Sequence, residues 1–231
     1  MAQRRDFPGK AELAEALAAA VAADLAAGIA ETGRAALAVS GGSTPARFFA
    51  ALSARADLAW DQVVVTLVDE RWVDESSERS NARLVRQGLL QGPAAAARFV
   101  PLYRGGTEPG PGGIAAANAA LADLPARFDA VVLGMGNDGH TASFFPGGDT
   151  LAEALAAEGP ALAIRAPGAG EPRVTLTLKR LLQTRSLYLH IEGEEKVVTL
   201  ERALEDGPVE AMPVRAVLRQ AAKPVTIFWC P

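Results

Sequence analysis

A histidine and a carboxylate two residues apart lie in a glycine-rich stretch that could do acid–base chemistry. His140 is one of only two histidines in the chain, and it directly follows Asp138 and Gly139. An imidazole can take a proton from water near neutral pH, and a neighbouring carboxylate can orient its ring. The stretch therefore predicts a general base, although a surface loop in which the two side chains only bond each other is the alternative. The other histidine, His190, alternates with apolar residues, which predicts a structural role.

The segment 40–45, Ser-Gly-Gly-Ser-Thr-Pro, has the composition of an anion-binding turn. Glycines let the backbone approach a ligand, and the free N–H groups at the start of a following helix carry partial positive charge. Pro45 suits the first helical turn, with Ser43 or Thr44 as its cap. Because no Gly-Lys-Ser or Gly-Lys-Thr follows, a nucleotide triphosphate is disfavoured. A tight turn capped by serine is the alternative. The residues predicted to contact an oxyanion are Ser40, Gly41, Gly42 and Ser43.

Charged residues elsewhere could complete such a site. Asp69 and Arg71 end an apolar run, where a carboxylate and a guanidinium can manage protons or hold a substrate hydroxyl. Arg173 precedes another apolar run. Lys196 falls in the first turn of a predicted helix, where a cation is unfavourable unless an anion is bound there as well. Each of these residues, taken alone, can equally be a solvated surface charge.

Residues 134–139 formally match the Gly-x-Gly-x-x-Gly dinucleotide fingerprint. That fingerprint requires a long helix directly after its third glycine, but Pro146-Gly147-Gly148 follows here within two turns. No acidic residue ends a following strand about 20 residues further on, where a ribose partner belongs. The sequence therefore disfavours a dinucleotide-dependent oxidoreductase.

Apolar runs alternate with helical patterns along the chain, and this alternation must position the candidate residues. It predicts an α/β fold, a Rossmann-like, largely parallel sheet with helices on both faces, in a single domain covering 1–231. Ligands of such sheets bind at the carboxyl ends of the strands, so the candidate residues should meet there. The predicted strands are 36–39, 63–68, 130–133, 161–164, 174–178, 186–191 and 225–229. The predicted helices are 11–30, 46–55, 81–90, 114–124, 194–204 and 214–220.

Composition limits the classes of function. The 23 basic and 27 acidic residues give a net charge of -4 with no block of like charge, which excludes a non-specific nucleic-acid binder. A local anion site needs only two or three cations. The single cysteine, Cys230, cannot form an internal disulfide. Because Glu12, Glu15 and Asp24 interrupt the apolar N-terminal segment, we expect a cytoplasmic protein without a signal peptide, a membrane partner or an obligate protein partner.

Five segments occur in a fixed order along the chain: 40–45 (SGGSTP), 68–73 (VDERWV) with Ser80-Asn81 downstream, 133–147 (LGMGNDGHTASFFPG), 173–177 (RVTLT) and 193–196 (GEEK). Together they resemble the lactonase branch of the family of glucosamine-6-phosphate isomerases and 6-phosphogluconolactonases. Deaminases of that family are similar to one another in following Asp-Gly-His with Ile-Ala-Phe-Asn-Glu-Pro. Residues 141–146 here are Thr-Ala-Ser-Phe-Phe-Pro, so the Asn-Glu pair is missing.

The resemblance implies hydrolysis of 6-phospho-D-glucono-1,5-lactone to 6-phosphogluconate in the oxidative pentose phosphate pathway, without a cofactor or a metal. The phosphate would lie on the backbone of the 40–43 loop, with charge from Arg173 and Lys196. His140 would deprotonate the attacking water and return a proton to the ring oxygen, and Asp138 would orient it. In addition, Asp69 and Arg71 would contact sugar hydroxyls or the developing negative charge.

Two other functions stay open at this point. The chain could be a glucosamine-6-phosphate isomerase/deaminase, or it could be a sugar-phosphate sensor without catalytic activity. Ser43 and Ser143 could be nucleophiles, but neither lies in a Gly-x-Ser-x-Gly sequence, which disfavours covalent catalysis.

Overall fold

The computed structural model of the chain describes residues 2–231. Within that range it contains ten β-strands, eight α-helices and three short 3₁₀ helices. The strands are β1 (Gln3–Asp6), β2 (Ala35–Val39), β3 (Val63–Leu67), β4 (Asp69–Arg71), β5 (Arg98–Val100), β6 (Phe128–Leu133), β7 (Ala161–Ile164), β8 (Arg173–Leu176), β9 (Thr184–Glu192) and β10 (Val225–Cys230). The α-helices are α1 (Lys10–Thr32), α2 (Ala46–Ser53), α3 (Asn81–Gly88), α4 (Pro111–Ala122), α5 (Leu151–Ala156), α6 (Leu178–Leu182), α7 (Glu194–Leu204) and α8 (Val214–Arg219).

Seven strands form one sheet in the order β1-β10-β9-β6-β2-β3-β5, and every neighbouring pair is parallel. All residues of β2, β3 and β6 are buried. Strands that are apolar on both sides require cover on both faces of the sheet, which the helices provide. The predicted α/β class, with a largely parallel sheet between helices, is confirmed.

Helix α1 has a continuous apolar side that packs on the sheet. Leu13, Leu17, Val21 and Leu25 recur at spacings of four and are fully buried. By length and composition alone this helix could cross a membrane. Its apolar side lies instead against β2, β6, β9 and β10, as in the core helix of a soluble protein.

Three strands form a separate antiparallel sheet in the order β4-β8-β7. The sequence predicted strands at 161–164 and 174–178 but did not separate them from the parallel sheet, and it predicted no strand at 69–71. Strands of three or four residues are too short for their pattern to reveal their partners. Val68 alone joins β3 to β4, so the small sheet stands at the carboxyl end of β3. Its register brings Arg173 opposite Arg71 at that edge.

Other differences between prediction and structure are local. Helix α4 begins at Pro111, three residues before the predicted start at 114, because Pro111, Gly112 and Gly113 form its first turn. The charged segment β1 pairs with β10 although all its residues are exposed, so it carries no apolar alternation that could reveal a strand. The short helices α5 and α6 were also missed. The Ser80 side chain accepts the backbone N–H of Arg83 and so caps the start of α3.

Candidate active site

One cavity of about 300 Å³ opens at the carboxyl ends of the parallel strands. Of the ten residues predicted to form a site, nine line this cavity, and the tenth, Asp138, bonds one of them. The nine are Ser40, Gly41, Gly42, Ser43, Asp69, Arg71, His140, Arg173 and Lys196. They come from five separate segments of the chain, and the fold brings them together as expected for a parallel sheet.

His140 and Asp138 form a tight pair in the loop after β6. The Oδ1 atom of Asp138 lies 2.6 Å from Nδ1 of His140 and also accepts the His140 backbone N–H at 3.0 Å. Partial burial would raise the pKa of Asp138, but the hydrogen bonds from His140 bring that pKa below its ordinary value. The ionised carboxylate holds the proton on Nδ1, which leaves the lone pair of Nε2 available to accept a proton.

The glycines of this loop make room for the pair. A Cβ atom at Gly136 would lie 2.1 Å from His140 Nδ1 and 2.6 Å from Asp138 Oδ1, so no side chain fits there. Gly139 has a φ of 79°, a left-handed conformation that favours glycine. The glycines that match the dinucleotide fingerprint therefore allow the backbone to pass close to a histidine and a carboxylate.

Phe145 packs under two site residues at once. Its ring stacks on the His140 imidazole with centroids 4.2 Å apart and an interplanar angle of 27°. The Arg173 guanidinium lies 5.3 Å from the centre of the same ring. The ring is almost completely buried and lines the cavity. Phe145 therefore holds the imidazole and the guanidinium in fixed positions relative to each other.

Asp69 and its neighbour Glu70 point to opposite sides of β4. Asp69 lines the cavity, where its Oδ2 lies 3.5 Å from Nη1 of Arg173 and accepts the Ser143 hydroxyl. Burial lowers the pKa of Arg173, although the Asp69 charge acts in the opposite direction. In the short strand β4, alternation places Asp69 and Arg71 on the same side, toward the cavity.

Glu70 is fully buried and serves helix α3 instead of the cavity. Its carboxylate accepts the backbone N–H groups of Arg71, Asn81 and Ala82 at 2.7–2.8 Å. Burial raises the pKa of Glu70 to about 7, although these N–H donors lower it. The side chain thus fixes the start of α3 against β4.

Arg71 is held by residues at and just before the start of α3. Its Nη1 donates to the side-chain oxygen of Asn81 and to the carbonyl of Arg79, both at 2.7 Å. A Cβ atom at Gly41 would lie 2.0 Å from that Asn81 oxygen, so the first glycine of the 40–45 loop is required by this close approach. Within residues 2–231, the buried Nε atoms of Arg71 and Arg173 have no hydrogen-bond partner. Each guanidinium therefore keeps one donor that no described protein group satisfies.

The loop 40–45 lies between the end of β2 and the start of α2. The Ser40 hydroxyl accepts the Gly134 N–H at 3.0 Å, which joins this loop to the one that carries His140. The predicted cap by Ser43 or Thr44 is wrong: α2 begins at Ala46, and no side chain of the described residues caps it. Gly42 has a φ of 90°. The N–H groups of the first turn of α2 thus have no side-chain cap, and the residues before that turn line the cavity, as an anion site needs.

Lys196 lies in the first turn of α7, as predicted. Partial burial lowers the pKa of its ammonium group, whereas the charges of Asp138 and Glu195 act in the opposite direction. Its position brings a cation to the cavity from the carboxyl end of β9. Among residues 2–231, no three His, Cys, Asp or Glu side chains lie close enough together to hold a metal ion.

Comparison with known proteins identifies the family. The sequence profile of the glucosamine-6-phosphate isomerases/6-phosphogluconolactonase matches residues 8–229. The chain belongs to this family. A 6-phosphogluconolactonase of Mesorhizobium japonicum is 55% identical over 229 residues, which cover 97% of this chain and 94% of the relative. One from Rhizobium meliloti is 52% identical over 227 residues, 97% of each chain.

The fold of the family is also present in solved structures. The crystal structure of a 6-phosphogluconolactonase from Shewanella baltica is 40% identical and matches with a TM-score of 0.97, covering 100% of this chain and 98% of that one. In this family member, the sequence predicted the charged and glycine residues of the cavity, but it gave no role to Asn81 or Phe145 and only a structural role to His190. The first two stand inside the matching segments, so their position was a usable signal. His190 lines the cavity from β9, where its apolar neighbours give the pattern of an ordinary buried strand.

Proposed function

We propose that this family member hydrolyses 6-phospho-D-glucono-1,5-lactone to 6-phosphogluconate, the lactonase step of the oxidative pentose phosphate pathway. The observation that carries the proposal is that one cavity combines the His140–Asp138 pair with a glycine-rich anion loop and several cations. A phosphorylated lactone needs both parts, because its ester reacts at one end and its phosphate is bound at the other. The 55% identity to a relative named 6-phosphogluconolactonase supports the same reaction.

The phosphate would bind at the loop 40–45. Backbone N–H groups of Gly41, Gly42 and Ser43 surround one end of the cavity, and the glycines leave space for phosphate oxygens. Arg173 and Lys196 supply positive charge from β8 and α7. This local arrangement explains how a chain of net charge -4 can hold a dianion.

Hydrolysis would proceed at the lactone end through His140. Nε2 takes a proton from a water molecule as its oxygen bonds to the lactone carbonyl carbon, and the carbonyl electrons move to the oxygen. When that tetrahedral intermediate collapses, the bond between the carbonyl carbon and the ring oxygen breaks, and the ring oxygen receives the proton from His140. Asp138 keeps the imidazole oriented, while Asp69 and Arg71 contact sugar hydroxyls or the negative charge on the oxyanion.

The rate enhancement required of this site is modest. A positioned general base contributes about 10² to 10⁴ in rate, and oriented binding adds to it. Among residues 2–231, the only side-chain hydrogen-bond partner of the His140 imidazole is Asp138, so no serine hydroxyl is bonded to this base. The Ser143 hydroxyl donates to Asp69 instead. Water activated by the imidazole is therefore the nucleophile that the geometry favours over a serine.

The decisive experiment is turnover of freshly generated phospholactone, corrected for its spontaneous hydrolysis. We expect a clear enzymatic rate and no ammonia from glucosamine 6-phosphate. Ammonia release would favour the deaminase, and no rate above background would favour a sensor. Hydrolysis of phosphate-free glucono-1,5-lactone with the same kcat/KM would contradict the anion site.

Replacement of Arg173 tests the assignment of charge to the phosphate. Arg173→Ala should raise KM about tenfold or more, the cost of losing a hydrogen bond to a charged group. Arg180→Ala is a matched control, because that buried guanidinium donates to the carbonyls of Pro125 and Ala126, away from the cavity. It should lower stability and leave KM unchanged. An Arg173 variant with wild-type KM would remove this residue from substrate binding.

We further propose that residues 1–231 act as one cytoplasmic domain, without a cofactor and without an obligate protein, nucleic-acid or membrane partner. The apolar side of α1 supports this view, because it is used by the core. Purified protein that sediments with membranes, or that is active only with an added partner, would contradict it.

A further inference from the structure

One buried amide at the start of α3 contacts β4 at two points. Asn81 is only 3% exposed and lines the cavity. Its Nδ2 donates to the carbonyl of Asp69 at 3.0 Å, and its Oδ1 accepts Nη1 of Arg71 at 2.7 Å. Only the amide oxygen can accept and only the amide nitrogen can donate, so these two partners fix the orientation of the amide.

The backbone around Asn81 keeps this amide in place. The N–H of Asn81 donates to Oε1 of Glu70 at 2.8 Å, which anchors the first residue of α3 to β4. Gly41 leaves the space that the amide oxygen occupies, since a Cβ atom at Gly41 would lie 2.0 Å from that oxygen. The amide is thus fixed by protein contacts before any substrate binds.

The contacts of Arg71 use one edge of its guanidinium and leave the other edge free. Nη1 carries two hydrogens, and it donates to the Asn81 oxygen and to the Arg79 carbonyl. Among residues 2–231, Nε and Nη2 of Arg71 have no hydrogen-bond partner, and Nε is buried. These two nitrogens lie side by side and can donate two parallel hydrogen bonds to neighbouring oxygens. The contacts of Nη1 therefore decide which edge of Arg71 meets a ligand.

A neutral acceptor suits this position better than a carboxylate would. The amide oxygen of Asn81 orients Arg71 without cancelling its positive charge. A carboxylate at the same place would form an ion pair and weaken the attraction of Arg71 for negative charge in the cavity. The carboxylate of Asp69, on the same side of β4, lies against Arg173 instead. Arg71 is thus both oriented and left charged.

We propose that Asn81 is a positioning residue of the active site, which holds Nη1 of Arg71 so that the Nε–Nη2 edge meets the substrate as a two-donor fork. This inference rests on the proposed function, in which Arg71 contacts sugar hydroxyls or the oxyanion. The order of the Arg71 side chain can be measured without any substrate. A failure of the proposal and a failure of the proposed function are therefore distinguishable.

Nuclear magnetic resonance of the Arg71 Nε–H group tests the orientation directly. In Asn81→Ala the order parameter of this group should fall by about a third, the difference between a rigid and a flexible site. In Asn81→Asp an oxygen still accepts from Nη1, so the order parameter should stay near that of the wild type. The signal is assigned by its loss in Arg71→Lys.

Steady-state turnover of the phospholactone tests the consequence for the reaction. Asn81→Ala should lower kcat/KM about tenfold, as expected when one hydrogen bond to a charged group is lost. In an Arg71→Ala background the same replacement should cost less than about twofold, because Asn81 acts through Arg71. Asn81→Asp should also lower kcat/KM, in this case because the new carboxylate offsets the charge of an ordered Arg71.

Asn118→Ala is the matched control. This asparagine of α4 donates from Nδ2 to the carbonyl of Ala161 at 3.2 Å and lies outside the cavity. Its replacement should lower the free energy of unfolding and keep both the Arg71 order parameter and kcat/KM. If Asn81→Ala does not fold, Asn81→Ser, which also removes the amide, takes its place in both measurements.

Three results would overturn the proposal. These are an unchanged Arg71 order parameter in Asn81→Ala, an equal fall of that order parameter in Asn81→Asp, and the same loss of kcat/KM in the wild-type and Arg71→Ala backgrounds. The last result would show that Asn81 acts independently of Arg71. A wild-type chain that does not hydrolyse the phospholactone would refute the proposed function, and the order of Arg71 would still decide the role of Asn81.

Discussion

The two histidines of this chain each face a carboxylate two positions away, yet their surroundings differ. His140 lies in a glycine-lined loop with 30% of its side chain exposed, and His190 lies within a strand with 3% exposed. A base that takes a proton from water must reach the solvent side of the cavity, whereas a buried imidazole bonded to a carboxylate within a strand is fixed in the cavity wall. The same two residue types therefore suit proton transfer in one place and a structural role in the other.

Removal of the exposed histidine should have the largest effect. His140→Ala should lower kcat by a hundredfold or more, because the water loses its general base. Its affinity for inorganic phosphate should remain near that of the wild type. Steady-state kinetics and calorimetry measure the two quantities separately. A His140→Ala chain with unchanged kcat would end the distinction between the two histidines.

A single methyl group added beside His140 and Asp138 should lower kcat nearly as strongly. Gly136→Ala places a Cβ atom where His140 Nδ1 and Asp138 Oδ1 lie, and the displaced imidazole should lower kcat about tenfold to hundredfold. Gly159→Ala is the control, since a Cβ atom there meets open space. Both variants can be assayed with saturating phospholactone. Equal kcat values for the two would show that the position of the imidazole is not critical.

The aromatic ring beneath the exposed pair is a subtler test. Phe145→Leu removes the surface on which His140 and Arg173 rest, and kcat/KM should fall about tenfold as both groups lose their fixed positions. Its neighbour offers the control: Phe144 is fully buried and does not line the cavity. Phe144→Leu should lower the free energy of unfolding by about 1 kcal/mol and leave kcat/KM unchanged. The reverse pattern would contradict the assigned role of Phe145.

The smallest expected effect concerns Lys196, whose ammonium group interacts with the charge of Asp138, one member of the exposed pair. Since burial lowers the pKa of its ammonium group, Lys196 loses its charge at a lower pH than an exposed lysine does. Phosphate affinity should therefore decline as the pH is raised into the alkaline range. Lys196→Met should weaken binding several-fold at neutral pH and flatten that decline. Lys179→Met, which removes a surface ion pair with Glu158, should keep the wild-type profile.

Much of the fold and site was predictable because their signals are local. Strand runs such as Val63–Leu67 are apolar apart from Thr66, and a near-continuous apolar run is the pattern of a buried parallel strand. The glycines around His140 and in the loop 40–45 mark places where the backbone must approach other groups. Once parallel strands are predicted, residues after their carboxyl ends must meet at one edge, so the candidate cluster followed.

The remainder depended on contacts that the sequence does not encode locally. The sequence around Asp69 and Glu70 does not show that Asp69 faces the cavity and Glu70 faces the start of α3. Their directions depend on which strand pairs with β4. The place of His190 in the cavity wall depends on contacts with Glu192 and Phe48 and on a cavity formed by distant segments. The predicted cap at Ser43 or Thr44 failed because residues suited to capping are also suited to an open anion-binding turn.

The junction between the two sheets carries a consequence for redesign. Val68 is the only residue between β3 and β4, and it bonds both sheets, donating to the carbonyl of Val39 and accepting the N–H of Leu176. Asp69, Arg71 and Arg173 therefore stand on a small sheet that leaves the parallel sheet after β3 through this one residue. No residue of β7 lines the cavity, yet β7 supports this unit through β8. An engineer who wishes to change the accepted sugar while retaining the phosphate requirement could alter β7 and tilt three side chains together.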